Sequence, residues 1–191
     1  MAAGLAALPG VAQAHLVNSG LGPFYDGALH LLLSPGEPLG LLALALLAGL
    51  RGTRAARTAV IALPTAWLLA GLIGLSLPVI PDLAWLSTLS FILLGMLVAF
   101  DARVPPAIIA ALAGVYGALH GLLNGSTLAT MGAGVGSLFG IVLAALLLVL
   151  LASAAVVPLQ AFWARITVRV VGSWVVAVGI LMLSWFAQSV A

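Results

Sequence analysis

The 191-residue sequence contains no cysteine and few charges, since charged residues make up 5% of it. Without cysteine there is no disulfide, thiolate metal site or cysteine nucleophile. Any bound metal would depend on histidine, carboxylate, amide or backbone oxygen, which points to nickel, cobalt, zinc or a harder ion. Six arginines against four acids are too few for the basic surface that nucleic acids require, so no nucleic-acid partner is expected.

Apolar residues dominate instead, at 64% of the chain with a mean hydropathy of +1.34. No soluble fold could bury that much apolar surface, and the alternating segments of a β-barrel are absent. The sequence therefore predicts an all-α, polytopic helical bundle that lies in the lipid bilayer as one domain. The hydropathy of the chain predicts six membrane spans, with proline, glycine and arginine marking their ends. The spans are 24–50, 56–77, 83–101, 105–123, 129–157 and 168–189.

The first span contains Ser34-Pro35-Gly36-Glu37-Pro38, which predicts a broken helix near Pro35–Pro38 with an acid in the gap. The arginines all fall in alternate loops, which the positive-inside rule places in the cytoplasm. Both termini would then be periplasmic, in a bacterial inner membrane. These arginines are Arg51, Arg54, Arg57, Arg103, Arg165 and Arg169.

Residues 1–14 end in Ala12-Gln13-Ala14, a small-x-small pattern typical of signal-peptide cleavage. Cleavage would leave residues 15–191 as the membrane domain, with His15 as its amino terminus. A free α-amine beside an imidazole can chelate a divalent metal, although a flexible periplasmic tail is the simpler interpretation.

Span 129–157 carries glycines with small-x-x-x-small spacing, which lets another helix approach closely. This span is where a membrane-protein partner or a second copy of the chain would pack. The glycines are Gly132, Gly134, Gly136 and Gly140.

Ionisable residues inside a membrane are costly, so they are candidates for function. Asp26 and His30 are four residues apart and share a helical face, and His120 and Asn124 repeat that spacing. With Glu37 they could place metal ligands at one depth in the outer third of the membrane. The alternative is structural: the histidines form interhelical hydrogen bonds, while Asp26 and Asn124 cap helices.

An enzyme is not expected, and no catalytic cofactor is predicted. His120-x-x-x-Asn124 followed by Gly136-Ser137 superficially resembles rhomboid proteases, but no histidine follows Ser137 to act as its base. Asp101 and Arg103, at an inner helix end, are expected to form a solvated pair.

The segment from His15 to Leu50 resembles the start of the HupE/UreJ family, which is linked to hydrogenase and urease and regarded as nickel or cobalt permeases. The resemblance implies a cleaved signal, a mature terminus at His15, six helices and two histidine motifs. His30 fits the first motif, Glu37 falls at or beside its acidic position, and His120-Gly121 opens the second.

Two motif histidines are replaced, by Pro38 and Asn124, and Leu31 stands where the first motif has proline. Loss of two nitrogen donors should weaken binding of nickel or cobalt. The sequence therefore predicts a permease for a divalent transition metal, admitted from the periplasm, with a non-transporting membrane scaffold or subunit as the alternative. The metal ligands that it predicts are Asp26, His30, Glu37, His120, Asn124 and His15.

Overall fold

A computed structural model describes residues 19–34, 36–77 and 83–190, and these segments are almost entirely helical. The signal-like segment, His15, Pro35 and Asp82 lie outside the described residues. The helices are α1 (Pro23–Leu33), α2 (Gly36–Leu50), α3 (Thr53–Leu75), α4 (Ala84–Ala99), α5 (Pro106–Thr130), α6 (Val135–Val156) and α7 (Phe162–Val190).

The predicted helical membrane bundle is confirmed, with a small difference in the number of spans. Four helices, α3, α5, α6 and α7, are long and apolar enough to cross a membrane. The first predicted span is the pair α1 and α2, which bend by 75° at the break between Leu33 and Gly36. The third is α4, a shorter apolar helix. Prolines and glycine therefore interrupt the first span where the sequence predicted the interruption.

Three predicted boundaries are wrong by more than one helical turn, and one of them is the start of the fifth span, expected at residue 129 where α6 begins at Val135. Span 4 was expected to end at residue 123, but α5 continues to Thr130 through Asn124-Gly125-Ser126. His120 therefore lies ten residues before the end of α5, about 15 Å along the helix axis. The last span was expected from residue 168, but α7 begins at Phe162.

Helix α2 occupies the centre of the bundle. From Gly40 to Leu50 every residue except Leu42 is buried, and α2 packs against α3, α4, α5, α6 and α7. A helix that is apolar on all sides is buried in a protein core or in a membrane, and here other helices cover α2. Glu37 lies in the first turn of α2, so the helix that positions this carboxylate is itself fixed by the helices packed around it.

The closest helix pair is α3 with α5, and glycines make it possible. A Cβ added at Gly117 would overlap the carbonyl of Leu63, and one at Gly121 would overlap that of Trp67. Gly125 repeats the pattern against the carbonyl of Gly71. Small residues at intervals of four let two backbones approach closely in a membrane. Gly125 therefore packs helices together, although it resembles a turn residue in the sequence.

Glycine also mediates packing of α6, though not at all four predicted positions. A Cβ at Gly140 would overlap the Phe24 carbonyl, so this face of α6 is covered by α1 of the same chain. Gly136 faces Pro23, also on α1. Gly132 lies in a turn with a φ of 68°, and Gly134 precedes α6 as its N-cap residue. The close approach thus occurs within the chain.

Ion pairs join three segments at the arginine-bearing end of the bundle. Asp101 accepts hydrogen bonds from Arg51 and Arg165, the latter at 2.8 and 3.0 Å. The predicted pairing of Asp101 with Arg103 is therefore wrong. Burial acts to raise the pKa of Asp101, but the Arg165 hydrogen bonds and the charges of Arg51 and Arg165 outweigh it and lower that pKa.

Candidate metal site in the bundle interior

The carboxylate of Glu37 lies at the centre of a polar cluster inside the bundle. Its side chain is 16% exposed and sits in the first turn of α2, immediately after the helix break. Asn124 on α5 donates from Nδ2 to Oε1 of Glu37 at 2.5 Å and to the backbone oxygen of His120 at 2.9 Å. One amide group therefore joins the carboxylate to α5.

A single face of α5 supplies three polar side chains to this cluster. Tyr116, His120 and Asn124 follow one another at intervals of four residues, so they lie on successive turns. The rings of Tyr116 and His120 stack with centroids 4.1 Å apart, and the Trp67 ring lies 5.6 Å from that of His120. The Tyr116 hydroxyl donates to the backbone oxygen of Glu37 at 3.2 Å. These contacts hold the His120 imidazole in one orientation.

Ser90 on α4 contacts one ring nitrogen of His120, and Glu37 lies near the other. The Ser90 hydroxyl donates its one hydrogen to the carbonyl of Ser87 at 2.6 Å. The Ser90 oxygen also lies 3.4 Å from Nε2 of His120, so the two side chains share a hydrogen bond. The other ring nitrogen, Nδ1, lies 3.7 Å from Oε1 of Glu37.

This arrangement presents two donor atoms to a cation. An ion at about 2.1 Å from each donor, as divalent zinc is from nitrogen and oxygen ligands, can contact atoms up to about 4.2 Å apart. The Nδ1 to Oε1 separation of 3.7 Å satisfies that limit. The second carboxylate oxygen, Oε2, is buried and has no hydrogen-bond partner among the described residues. A buried carboxylate oxygen without a partner is unfavourable, and a cation would relieve that cost.

The other predicted ligands do not join this cluster in the part of the chain that the structure describes. Asp26 accepts hydrogen bonds from the backbone nitrogen and hydroxyl of Ser19, at 2.7 and 2.5 Å. His30 is partly buried on α1, which packs along α6. Within the described ranges, no three residues among histidine, aspartate and glutamate lie close enough to hold one metal ion. His15 is outside those ranges.

Three members of the cluster were not among the predicted site residues. Tyr116 could have been found, because it extends the spacing of His120 and Asn124 by one turn. Ser90 and Trp67 come from α4 and α3, and no local pattern links them to α5. Gly40 on α2 lets the Tyr116 hydroxyl approach α2 closely, since a Cβ at position 40 would overlap that hydroxyl.

Together, the apolar helices and the buried polar cluster define an integral membrane protein with a polar site enclosed between its helices. The model of the HupE / UreJ protein family matches residues 3–182. The chain belongs to this family, whose members are accessory membrane proteins associated with nickel and cobalt transport. Comparisons with curated proteins and with solved structures gave no match.

Proposed function

We propose that this protein carries a divalent transition metal ion, nickel or cobalt, across the bacterial inner membrane from the periplasmic side. Glu37 and His120 are its central ligands in this proposal. The observation that carries it is the position of the Glu37 carboxylate, which is 16% exposed, 3.7 Å from Nδ1 of the buried His120 imidazole. Ionisable groups at such depth are costly and commonly mark ion pathways.

Charge and ligand type both suit this substrate. The carboxylate supplies a negative charge, and imidazole nitrogen is a preferred ligand of nickel and related ions. With two such ligands the ion would keep part of its water shell, which suits a transported ion that must leave again. Asp26, His30 and His15 remain proposed ligands that an ion would meet earlier on its way from the periplasm.

Asn124 has a different role in this geometry from that of a direct ligand. Its amide nitrogen donates to Glu37, so the amide orients the carboxylate beside His120. Its oxygen would reach the ion only after rotation of the amide group. Holding a ligand by hydrogen bonds is a common way to set metal affinity.

The arginines support the proposed orientation. Arg51 and Arg165 both bind Asp101, so the segments that carry them meet at one end of the bundle. By the positive-inside rule this end is cytoplasmic, and the opposite end, where α1 begins, is periplasmic.

The test is nickel and cobalt uptake by cells that express the wild type, Glu37→Gln or His120→Ala. Glutamine keeps the shape of Glu37 and an oxygen that can accept the Asn124 hydrogen bond, but it removes the negative charge. We expect uptake to fall to the level of cells without the protein in both variants, while the amount of protein in the membrane stays unchanged for Glu37→Gln.

Ser153→Ala is the matched control, because Ser153 is also buried and polar but lies on α6, outside the cluster. Uptake equal to wild type in Glu37→Gln would overturn the proposed substrate site.

A membrane scaffold is the second candidate function. It is favoured by the bonds that the cluster forms between helices, since Glu37, Ser90 and Asn124 link α2, α4 and α5 through their polar side chains. In that case Glu37→Gln would preserve complex formation, whereas Asn124→Ala would weaken it.

A further inference from the structure

A groove on the outside of the bundle, separate from the Glu37 cluster, lies between α3 and α6. It encloses about 490 Å³, a volume within the range of small-molecule sites. The first residues of α3 and the last residues of α6 form its wall, which is almost entirely apolar. The groove therefore begins at the arginine-bearing end and runs into the membrane, about 12 Å along α3 from Thr53 to Ile61.

The polar end of the groove carries one cation, Arg57. This residue is exposed and stands one turn after the start of α3, where the headgroups of lipids would lie. Arg51 and Arg165 share an ion pair with Asp101, but among the described residues no carboxylate lies within ion-pair distance of Arg57. Arg57 is also the one charged residue that lines the groove. The positive charge of Arg57 therefore lies at one end of an apolar groove.

We propose that this groove is a binding site for an anionic phospholipid of the leaflet at the arginine-bearing end. The guanidinium of Arg57 binds the lipid phosphate, because arginine matches phosphate in charge and geometry. One acyl chain follows the apolar wall towards Ile61 and Leu150, which are 68% and 42% exposed. Basic pockets between membrane helices are known to bind anionic headgroups in this way.

The experiment measures lipid binding to the purified full chain by native mass spectrometry. Phosphatidylglycerol and phosphatidylcholine with the same acyl chains are titrated against delipidated protein. We expect wild type to bind phosphatidylglycerol more tightly. Arg57→Gln should weaken that binding about fivefold, the effect of losing one arginine near a lipid surface. It should weaken phosphatidylcholine binding less, because the choline cation offsets the charge of the phosphate. Arg103→Gln, the loss of an equally exposed arginine outside the groove, should have no effect.

A second pair of variants tests the apolar channel. Ala154 lines the groove, whereas its neighbour Ala155 does not, and both are exposed. Ala154→Phe should fill the channel and reduce binding of both lipids, and Ala155→Phe should bind like wild type. Because neither position is in the core, both variants should fold. If Ala154→Phe is unstable, the arginine pair still decides the question.

Several results would overturn the proposal. Equal binding of the two lipids would show that the site does not recognise the headgroup charge, as would equal behaviour of Arg57→Gln and Arg103→Gln. Displacement of phosphatidylglycerol by an equal concentration of glycerol phosphate would indicate an anion site without a chain. Displacement by oleate at equal concentration would indicate a fatty-acid site.

Discussion

The amide nitrogen of Asn124 lies 2.5 Å from the Oε1 atom of Glu37, and this hydrogen bond connects the last third of α5 to the first turn of α2. Asn124 is 3% exposed, so water does not replace the bond. The same amide also donates to the backbone oxygen of His120. One side chain therefore links the Glu37 carboxylate, at the start of the helix after the break, to the backbone of α5 at His120.

Asn124→Ala should destabilise the protein by about 2 kcal/mol. The reason is that Oε1 of the partly buried Glu37 would lose its donor, while the buried Oε2 already has no partner among the described residues. The measurement is reversible unfolding in mixed micelles. Gln160→Ala is the control, since that amide bonds a carbonyl at an exposed position. A loss no larger than that of the control would show that the Asn124 bond contributes little.

Gly121→Ala should also destabilise the protein, by about 1–3 kcal/mol, because its Cβ would overlap the backbone of Trp67 and force α3 away from α5. Trp67 packs near His120, so the displacement should disturb the polar cluster as well. Thermal unfolding in detergent measures the effect.

Gly114→Ala is the matched control on the same helix, because a Cβ at Gly114 meets no atom within 4 Å. That variant should be as stable as wild type or more so by up to about 1 kcal/mol, the usual gain when alanine replaces glycine in a helix. Equal stability of the two variants would contradict the close contact of α3 with α5.

The ion pairs of Asp101 should make stability depend on acid pH. The pKa of Asp101 is lower in the folded protein than its ordinary value of 3.8, so the pairs contribute fully above that value. Their contribution is lost as the pH falls through the lower folded pKa. The difference in stability between wild type and Asp101→Asn should therefore be widest near pH 7, about 1 kcal/mol, and should narrow below about pH 4.

Thermal unfolding of the two proteins at pH 7, 5 and 3 tests this dependence. The two proteins share every other titratable group, so the effects of those groups cancel in the difference. A gap that stays constant from pH 7 to pH 3 would mean that the charge of Asp101 does not stabilise the fold.

Much of the fold was predictable from the sequence, because membrane helices follow from long apolar segments and the broken first span follows from Pro35-Gly36-Glu37-Pro38. The boundaries of α5 were not predictable in this way. Asn124-Gly125-Ser126 resembles a loop, yet Gly125 is small because it contacts the carbonyl of Gly71. A glycine that permits a turn and one that permits close packing look the same in a sequence.

The candidate site was predictable only where its residues share one helix. His120 and Asn124 were found from their spacing, and Glu37 from its place in the helix break. The contacts with Ser90 and Trp67 depend on how α3 and α4 pack around α5, which local patterns do not contain. The same is true of His30, since helical spacing on α1 does not reveal that α1 packs along α6.

Asn124→His should raise the affinity for nickel or cobalt if the Glu37 cluster binds metal. Position 124 lies within hydrogen-bond distance of Glu37 and one turn from His120, so an imidazole there could bind the same ion. Imidazole nitrogen binds these ions better than an amide oxygen does. The gain should be about 10-fold or more, since even residues that only orient a ligand change affinity by that factor. His120→Ala should lower affinity.

Isothermal titration of the purified proteins at one fixed pH measures these changes, because an imidazole binds metal only when it is deprotonated. Asn124→Ala is the necessary companion, since it removes the amide without adding a nitrogen ligand and so separates the gain of imidazole from the loss of the Glu37 hydrogen bond. The expected order of affinity is Asn124→His, wild type and then His120→Ala. If these three and Asn124→Ala bind metal equally, and cells take up none, then the cluster is a structural hydrogen-bond network and the scaffold function replaces the transport proposal.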